Sequence, residues 1–295
     1  MTKIAITQYE IEHLPNWQAY EDKILRLVER VKENEAELLT MSEYAGLELA
    51  SWTEHTRWTE HKIDKQFAYI NSLLPEYHQF YTTLAKQYQL YIQPGTLPVL
   101  AEDGHYRNRA YFFSPNGKIG YQDKIYLTPF EQETKLIRPG HQLQLFETSF
   151  GKLGITICYD SEFPALAHQF AKAGALLLLV PSCTEKISGL TRVSISSQAR
   201  AIENQCYVAQ SSLIGKVTWS DMIDINTGQS AVYCPADIGF PEEGILAQSQ
   251  LNIPTIIYAN LSWDKLMHAR QHGEMRNFAD LQTIISTPLT TVNMT

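Results

Sequence analysis

Paired cysteines, basic runs and long apolar stretches are all scarce in this chain, and each shortage closes off a class of function. The 4 cysteines stand alone at 158, 183, 206 and 234. That spacing fits neither a disulfide framework nor a zinc site built on C-x-x-C pairs, so no metal is expected. Lys and Arg number 24 against 32 Asp and Glu, a net charge of -8, with no basic patch or run. Nucleic acid is therefore excluded as an expected partner. The longest apolar run, residues 173–181, is far too short to span a bilayer. The opening MTKIAITQYE reads as a strand, without a charged segment leading into an apolar one. A reduced, cytoplasmic protein without membrane contact is the expectation. No internal repeat, low-complexity tract or Gly/Ser linker divides the 295 residues, which predicts one domain over 1–295 with a C-terminal arm from about 275.

What is present is an alternation of short β-branched runs with amphipathic stretches, the pattern of an α/β protein. Residues 4–8 read as a first strand, and Asn16 caps a helix reaching about Asn34. Residues 36–41 form a short buried strand that ends at Ser42-Glu43-Tyr44. A long aromatic-striped helix over 65–89 should be kinked or split by Pro75. Residues 109–114 and 118–123 make a hairpin around Pro115-Asn116-Gly117 that delivers Lys124 at its far end. In 151–164, GKLGITICYDSEFP, a turn and a buried strand lead to Cys158, and Pro164 opens a helix. An apolar strand over 175–180 follows and runs into Pro181-Ser182-Cys183-Thr184. His55 and His61, six apart in a polar and aromatic loop, suit solvated surface better than a metal site.

Three strand ends thus carry reactive groups: Glu43, Lys124 and Cys158. Taken alone, a free cysteine is usually a small core hydrophobe, and a lone Glu or Lys at a strand end is usually a solvated charge. Together they form a chemical set. A thiol needs a base, which Glu43 supplies if desolvation raises its pKa. The oxyanion formed by attack on a carbonyl needs donors, which the Lys124 ammonium and the Tyr159 backbone N–H supply.

The three motifs ELLTMSEY, GYQDKIYLTPFE and GITICYDSEFP, in this order, resemble those of the nitrilase superfamily, the carbon–nitrogen hydrolases. IAITQY, LLLLVPS and QARAIENQCYVAQSS extend the resemblance across about residues 3–262. It implies a four-layer α-β-β-α sandwich, a homodimer or higher homo-oligomer, and no cofactor. It further implies Glu43 as general base, Lys124 as oxyanion stabiliser, Cys158 as nucleophile forming a thioester, and Glu131 as a second glutamate, with Glu133 its nearby competitor. Tyr44, Tyr159, Glu162, Ser182 and Thr184 are the candidate substrate-binding residues. Where the family commonly has Arg before the lysine this chain has Asp123, and where it often has Arg after the cysteine it has Glu162; Arg192 could still supply a carboxylate partner. The expected activity is hydrolysis of a small linear amide. The alternatives are a nitrilase, an N-acyltransferase, or a silent binding or scaffold member.

Overall fold

A computed structural model describes residues 1–52, 63–281 and 291. The chain begins with β1 (Thr2–Glu10), α1 (Trp17–Glu33) and β2 (Leu38–Thr40). The Asn16 side chain accepts from the Ala19 N–H at 2.9 Å and so caps α1 as its sequence predicts. Next come α2 (Ile63–Ser72) and α3 (Leu74–Gln87), the expected long helix split one residue ahead of Pro75. Proline has no N–H to give and is tolerated only in a first turn, so a new helix starts there. β3 (Tyr91–Gln93), β4 (Thr96–Leu100), β5 (Tyr106–Phe113) and β6 (Ile119–Asp123) complete the first half, with α4 (Pro129–Glu133) after them. β7 (Phe146–Thr148) and β8 (Gly151–Ile155) pair antiparallel. They lead into α5 (Pro164–Lys172), β9 (Ala175–Ser182), α6 (Ile187–Asn204) and β10 (Tyr207–Lys216). The last strands are β11 (Ile225–Asn226), β12 (Ala231–Tyr233), β13 (Ile245–Gln248) and β14 (Thr255–Leu261), followed by α7 (Trp263–His272) and α8 (Asn277–Leu281).

The strands form one curled sheet whose two halves face each other. One half is built on β1, with β2 parallel on one side and β14 antiparallel on the other. The second half is built on β10, flanked by β9 in parallel and β12 antiparallel. The halves are stitched by a short parallel register at the carboxyl ends of β1 and β10: Gln8 with Ser212, Tyr9 with Leu213, Glu10 with Ile214.

Strand alternation explains the layering. In β5, Tyr111 and Phe113 point to the core packed under α1, α2 and α3, whereas Ala110 and Phe112 point to the core between the sheets. Ala5 and Leu39 likewise share the outer core, and Ile4, Ile6 and Leu38 the inner one. On the second sheet, Gly154 lies directly under the Phe170 ring of α5; a Cβ there would sit 2.5 Å from a ring carbon. Leu153 and Ile155 therefore face inward. The outcome is helix layer, sheet, sheet, helix layer, as the resemblance implied. Placing the cysteine at the very end of its strand needs one correction. The strand stops at Ile155, and Cys158 opens a single 3-10 turn, Cys158–Glu162. The proposed C-terminal arm begins as α8, where Arg270 stacks on the Phe278 ring at 3.8 Å. Residues 282–290 and 292–295 lie outside the described residues, as do His55 and His61.

Candidate active site

Parallel strands β2, β8 and β9 run toward the seam, and the segments after their carboxyl ends converge there, the place where α/β sheets bind ligands. Glu43 leaves β2, Lys124 leaves β6, Cys158 follows β8 and Cys183 follows β9. All four line a cavity of about 690 Å³.

Lys124 is the centre of the polar cluster. Its ammonium donates to Glu43 Oε1 at 2.8 Å and to Glu131 Oε2 at 2.7 Å, and all three side chains are almost wholly out of water. Glu131 is placed by a capping box: its Oε2 accepts from the Thr128 N–H at 2.8 Å, and its own N–H donates to Thr128 Oγ1. Pro129 at the first turn of α4 fits that cap. Glu133, by contrast, is exposed. Tyr44 sits in the left-handed region, φ 59°, which turns its hydroxyl back to donate to Glu131 Oε1 at 2.6 Å. Tyr44 thus serves the second glutamate while also lining the cavity.

Asn108, in the middle of β5, was not anticipated. Its amide donates to Glu43 Oε1 at 2.8 Å and to Glu131 Oε1 at 3.0 Å. The signal was visible: a buried Asn between two arginines in a strand is unfavourable for β structure and wants a reason. The Cys183 N–H, also unforeseen, donates to Glu43 Oε2 at 3.0 Å. Glu43 is therefore held at both oxygens.

Cys158 also has a left-handed backbone, φ 47°, unusual for a residue with a Cβ. The turn is locked by Ser161 Oγ, which donates to the Cys158 carbonyl at 2.7 Å. It is also locked by Asp160, whose carboxylate accepts from the Ile157, Ile125 and Tyr126 N–H groups at 3.3, 3.1 and 2.7 Å. Asp160 thereby ties the cysteine turn to the residues just after Lys124. Burial pushes its carboxyl up to about 7, while the N–H groups and Lys124 act the other way. The Cys158 thiol donates weakly to the Cys183 carbonyl at 3.5 Å.

The charges explain the protonation pattern. Burial drives the Cys158 thiol well above its ordinary value, and the Glu43 charge adds to that. Burial also raises Glu43, against the pull of Lys124. Burial alone would raise Glu131 and lower Lys124. Mutual attraction and the Tyr44 and Thr128 hydrogen bonds hold Glu131 below the usual carboxylate range, and the two carboxylates hold Lys124 well above an ordinary lysine. With two carboxylates and one ammonium already buried, ionising the thiol as well would add a second uncompensated negative charge. The resting thiol is neutral and sits beside a carboxylate predisposed to take its proton.

The outer wall of the cavity carries Tyr159, Glu162, Thr184 and Arg192. Glu162 Oε1 lies 3.5 Å from Arg192 Nε, so the arginine pairs with the departing residue of the motif. Thr184 donates to the Thr227 carbonyl at 2.7 Å. Ser182 is not brought to the cavity. β9 runs through Ser182, in register with Ser212, and its hydroxyl donates to the Ser211 carbonyl at 3.2 Å in a hydroxyl network behind the site. Asp123, where the family commonly has Arg, faces Arg109 across the hairpin, with Oδ1 2.6 Å from Arg109 Nε. Among the described residues no group of three or more His, Cys, Asp or Glu side chains could hold a metal ion, and no helix is long and apolar enough to cross a membrane.

Residues 3–271 match the sequence pattern of the family described as carbon-nitrogen hydrolase. The chain belongs to the carbon-nitrogen hydrolase family. The probable hydrolase YhcX of Bacillus subtilis is 31% identical over 278 residues, 94% of this chain and 53% of that protein. The chain thus spans about half the length of that relative. A deaminated glutathione amidase of Synechocystis is 30% identical over 194 residues, 62% of this chain and 71% of that one. An omega-amidase of Mus musculus is 29% identical over 234 residues, 74% and 79% of the two chains. In structure, a Saccharomyces cerevisiae member of branch 10 of the nitrilase superfamily superposes with TM-score 0.70 at 23% identity, covering 92% of this chain and 93% of the other. A carbon-nitrogen hydrolase from Helicobacter pylori does so with TM-score 0.74 at 19% identity, covering 92% of each. The hydrolase family and its nitrilase-type fold are therefore established, with amidases among the relatives.

Proposed function

We propose that this chain is an amidase that hydrolyses a small linear amide through a thioester on Cys158, without a cofactor. The observation that carries the reading is the buried lysine clamped between Glu43 and Glu131, beside a thiol on a left-handed turn that opens into a cavity.

Each group has a step. The amide carbonyl carbon approaches Cys158 Sγ. Glu43 takes the thiol proton as the S–C bond forms, so no free thiolate has to be buried beforehand. The Lys124 ammonium and the Tyr159 N–H meet the oxyanion. The C–N bond then breaks, and the proton on Glu43 passes to the departing nitrogen, which leaves as ammonia or an amine. Water enters, Glu43 takes its proton, and attack on the thioester releases the acid and restores the thiol. Glu131 does not touch the reacting carbon. It keeps Lys124 charged and aimed, with Tyr44 and Thr128 fixing its own position.

Two measurements test this. Cys158→Ala should lower amide turnover by at least about a thousandfold with the fold retained by circular dichroism. Acid quench during turnover of the parent enzyme should leave an acyl group on the peptide containing Cys158. Sustained turnover by the alanine variant would remove the reading, as would an active preparation that never yields an adduct.

A further inference from the structure

The cavity is charged in a lopsided way. Its described lining holds six carboxyl side chains against three cationic ones, a steeper acidic excess than the 32 to 24 of the whole sequence. Glu43, Glu131 and Lys124 account for the floor. Among the described residues the outer wall adds Glu162, Glu185, Asp221 and Asp224, with Lys186 and Arg192. Both cations already face carboxylates: Lys186 lies 3.5 Å from Glu185, and Arg192 Nε lies 3.5 Å from Glu162 Oε1. Aromatic surface from Phe130 and Tyr159 completes the wall.

From this we infer that the substrate carries a positive charge at the end remote from its amide, and that Glu162 is the residue that selects it. The inference rests on the amidase reading of the same site. The Glu162 side chain is only 20% exposed, while that of Arg192 is 62% exposed. The pair is thus a largely buried carboxylate with a partner reaching in from water. An incoming ammonium or guanidinium replaces Arg192 at Glu162, one cation for another, and the arginine head returns to solvent. No buried group is left unpaired. A carboxylate end would have the opposite effect. To use Arg192 it must pull that cation off Glu162 and leave a largely buried carboxylate without its partner, which offsets what the new pair returns. The aromatic rings of Phe130 and Tyr159 in the lining further suit an organic cation.

Three amides of similar length test this by ammonia release: δ-aminovaleramide, hexanamide and glutaramate, with cationic, neutral and anionic ends. The expected order of kcat/KM is cationic, neutral, anionic, with about tenfold between the first two. Glu162→Gln should collapse that ratio toward one. A second readout needs no turnover: protection of Cys158 from iodoacetamide. Pentylammonium should protect at lower concentration than pentanoate, less well in Glu162→Gln and better in Arg192→Gln, where the competing cation is gone. Glutaramate as the best substrate, or equal protection by both pentyl ligands, would overturn the inference while leaving the amidase reading intact. Protection by the amine with none of the three amides hydrolysed would do the reverse.

Discussion

At the scale of single residues, the site is a problem of placing three buried charges and one thiol so that each ionises only when needed. Because burial raises Glu43, its deprotonated form is lost on acidification earlier than for an exposed glutamate. Protonation removes the proposed base and one partner of Lys124 together. The acid limb of kcat/KM should therefore lie above the ordinary carboxylate value of about 4.3, and a limb at or below it would remove Glu43 as the base. Asn108 is the other test. Asn108→Ala deletes donors to both glutamates. Steady-state kinetics should show kcat down roughly ten- to a hundredfold with a smaller change in KM, since the amide orders the charged cluster rather than the substrate. Glu43, Lys124, Glu131 and Cys158 were legible because each belongs to a short local pattern. Asn108 was not, because its partners lie 65 and 23 residues away and nothing beside it in the chain announces them. Ser182 misled for a related reason. The strand before it continues two residues past the last apolar position, so its hydroxyl meets β10 instead of the cavity.

At the scale of elements, what matters is how strands end. Tyr44 and Cys158 both adopt left-handed backbones just past strands β2 and β8, and each reverses the chain so that a side chain points into the cavity. The turn after β2 depends on Gly95, φ 81°, in the turn between β3 and β4. A Cβ there would stand 2.2 Å from the Ser42 carbonyl oxygen and 2.9 Å from Ala45 Cβ, either side of Glu43. Gly95→Ala should lower stability by about 2 kcal/mol or more in urea unfolding and depress activity beyond that, because Glu43 moves. Most elements could be anticipated from periodicity, including the break at Pro75. The end of the cysteine strand could not, because Thr156 and Ile157 look as β-prone as what precedes them. The strand stops there because Asp160 recruits the Ile157 N–H, a competition between side chain and ladder that periodicity does not record.

At the scale of the whole molecule, two layers of helix close on two faces of one curled sheet, and the inner core holds the halves together. Phe112 lies in that core between Tyr91, stacked at 5.8 Å, and Phe146 at 5.1 Å, and is 4% exposed. Phe112→Ala should cost about 3–5 kcal/mol by urea unfolding, without altering the residual pH profile of the folded fraction. A profile shifted together with stability would mean that the inner core tunes the site directly. The four-layer arrangement was implied by resemblance. Composition and period pointed only to α/β, since nothing in a strand's alternation tells which of two apolar faces meets helices and which meets another sheet.

The stitch between the two halves has a temporal meaning as well. β1 and β10 meet over only three residue pairs, separated by some two hundred positions of chain, and Glu43 reaches the Cys183 N–H across 140. Contacts so distant in sequence form late, after the local hairpins and helices, because a long loop must close before they return anything. The local hairpins and helices of either half can form while the charged cluster is still apart. During refolding, catalytic competence would thus return after the helical signal, and the lag between the two would time the closing of that seam.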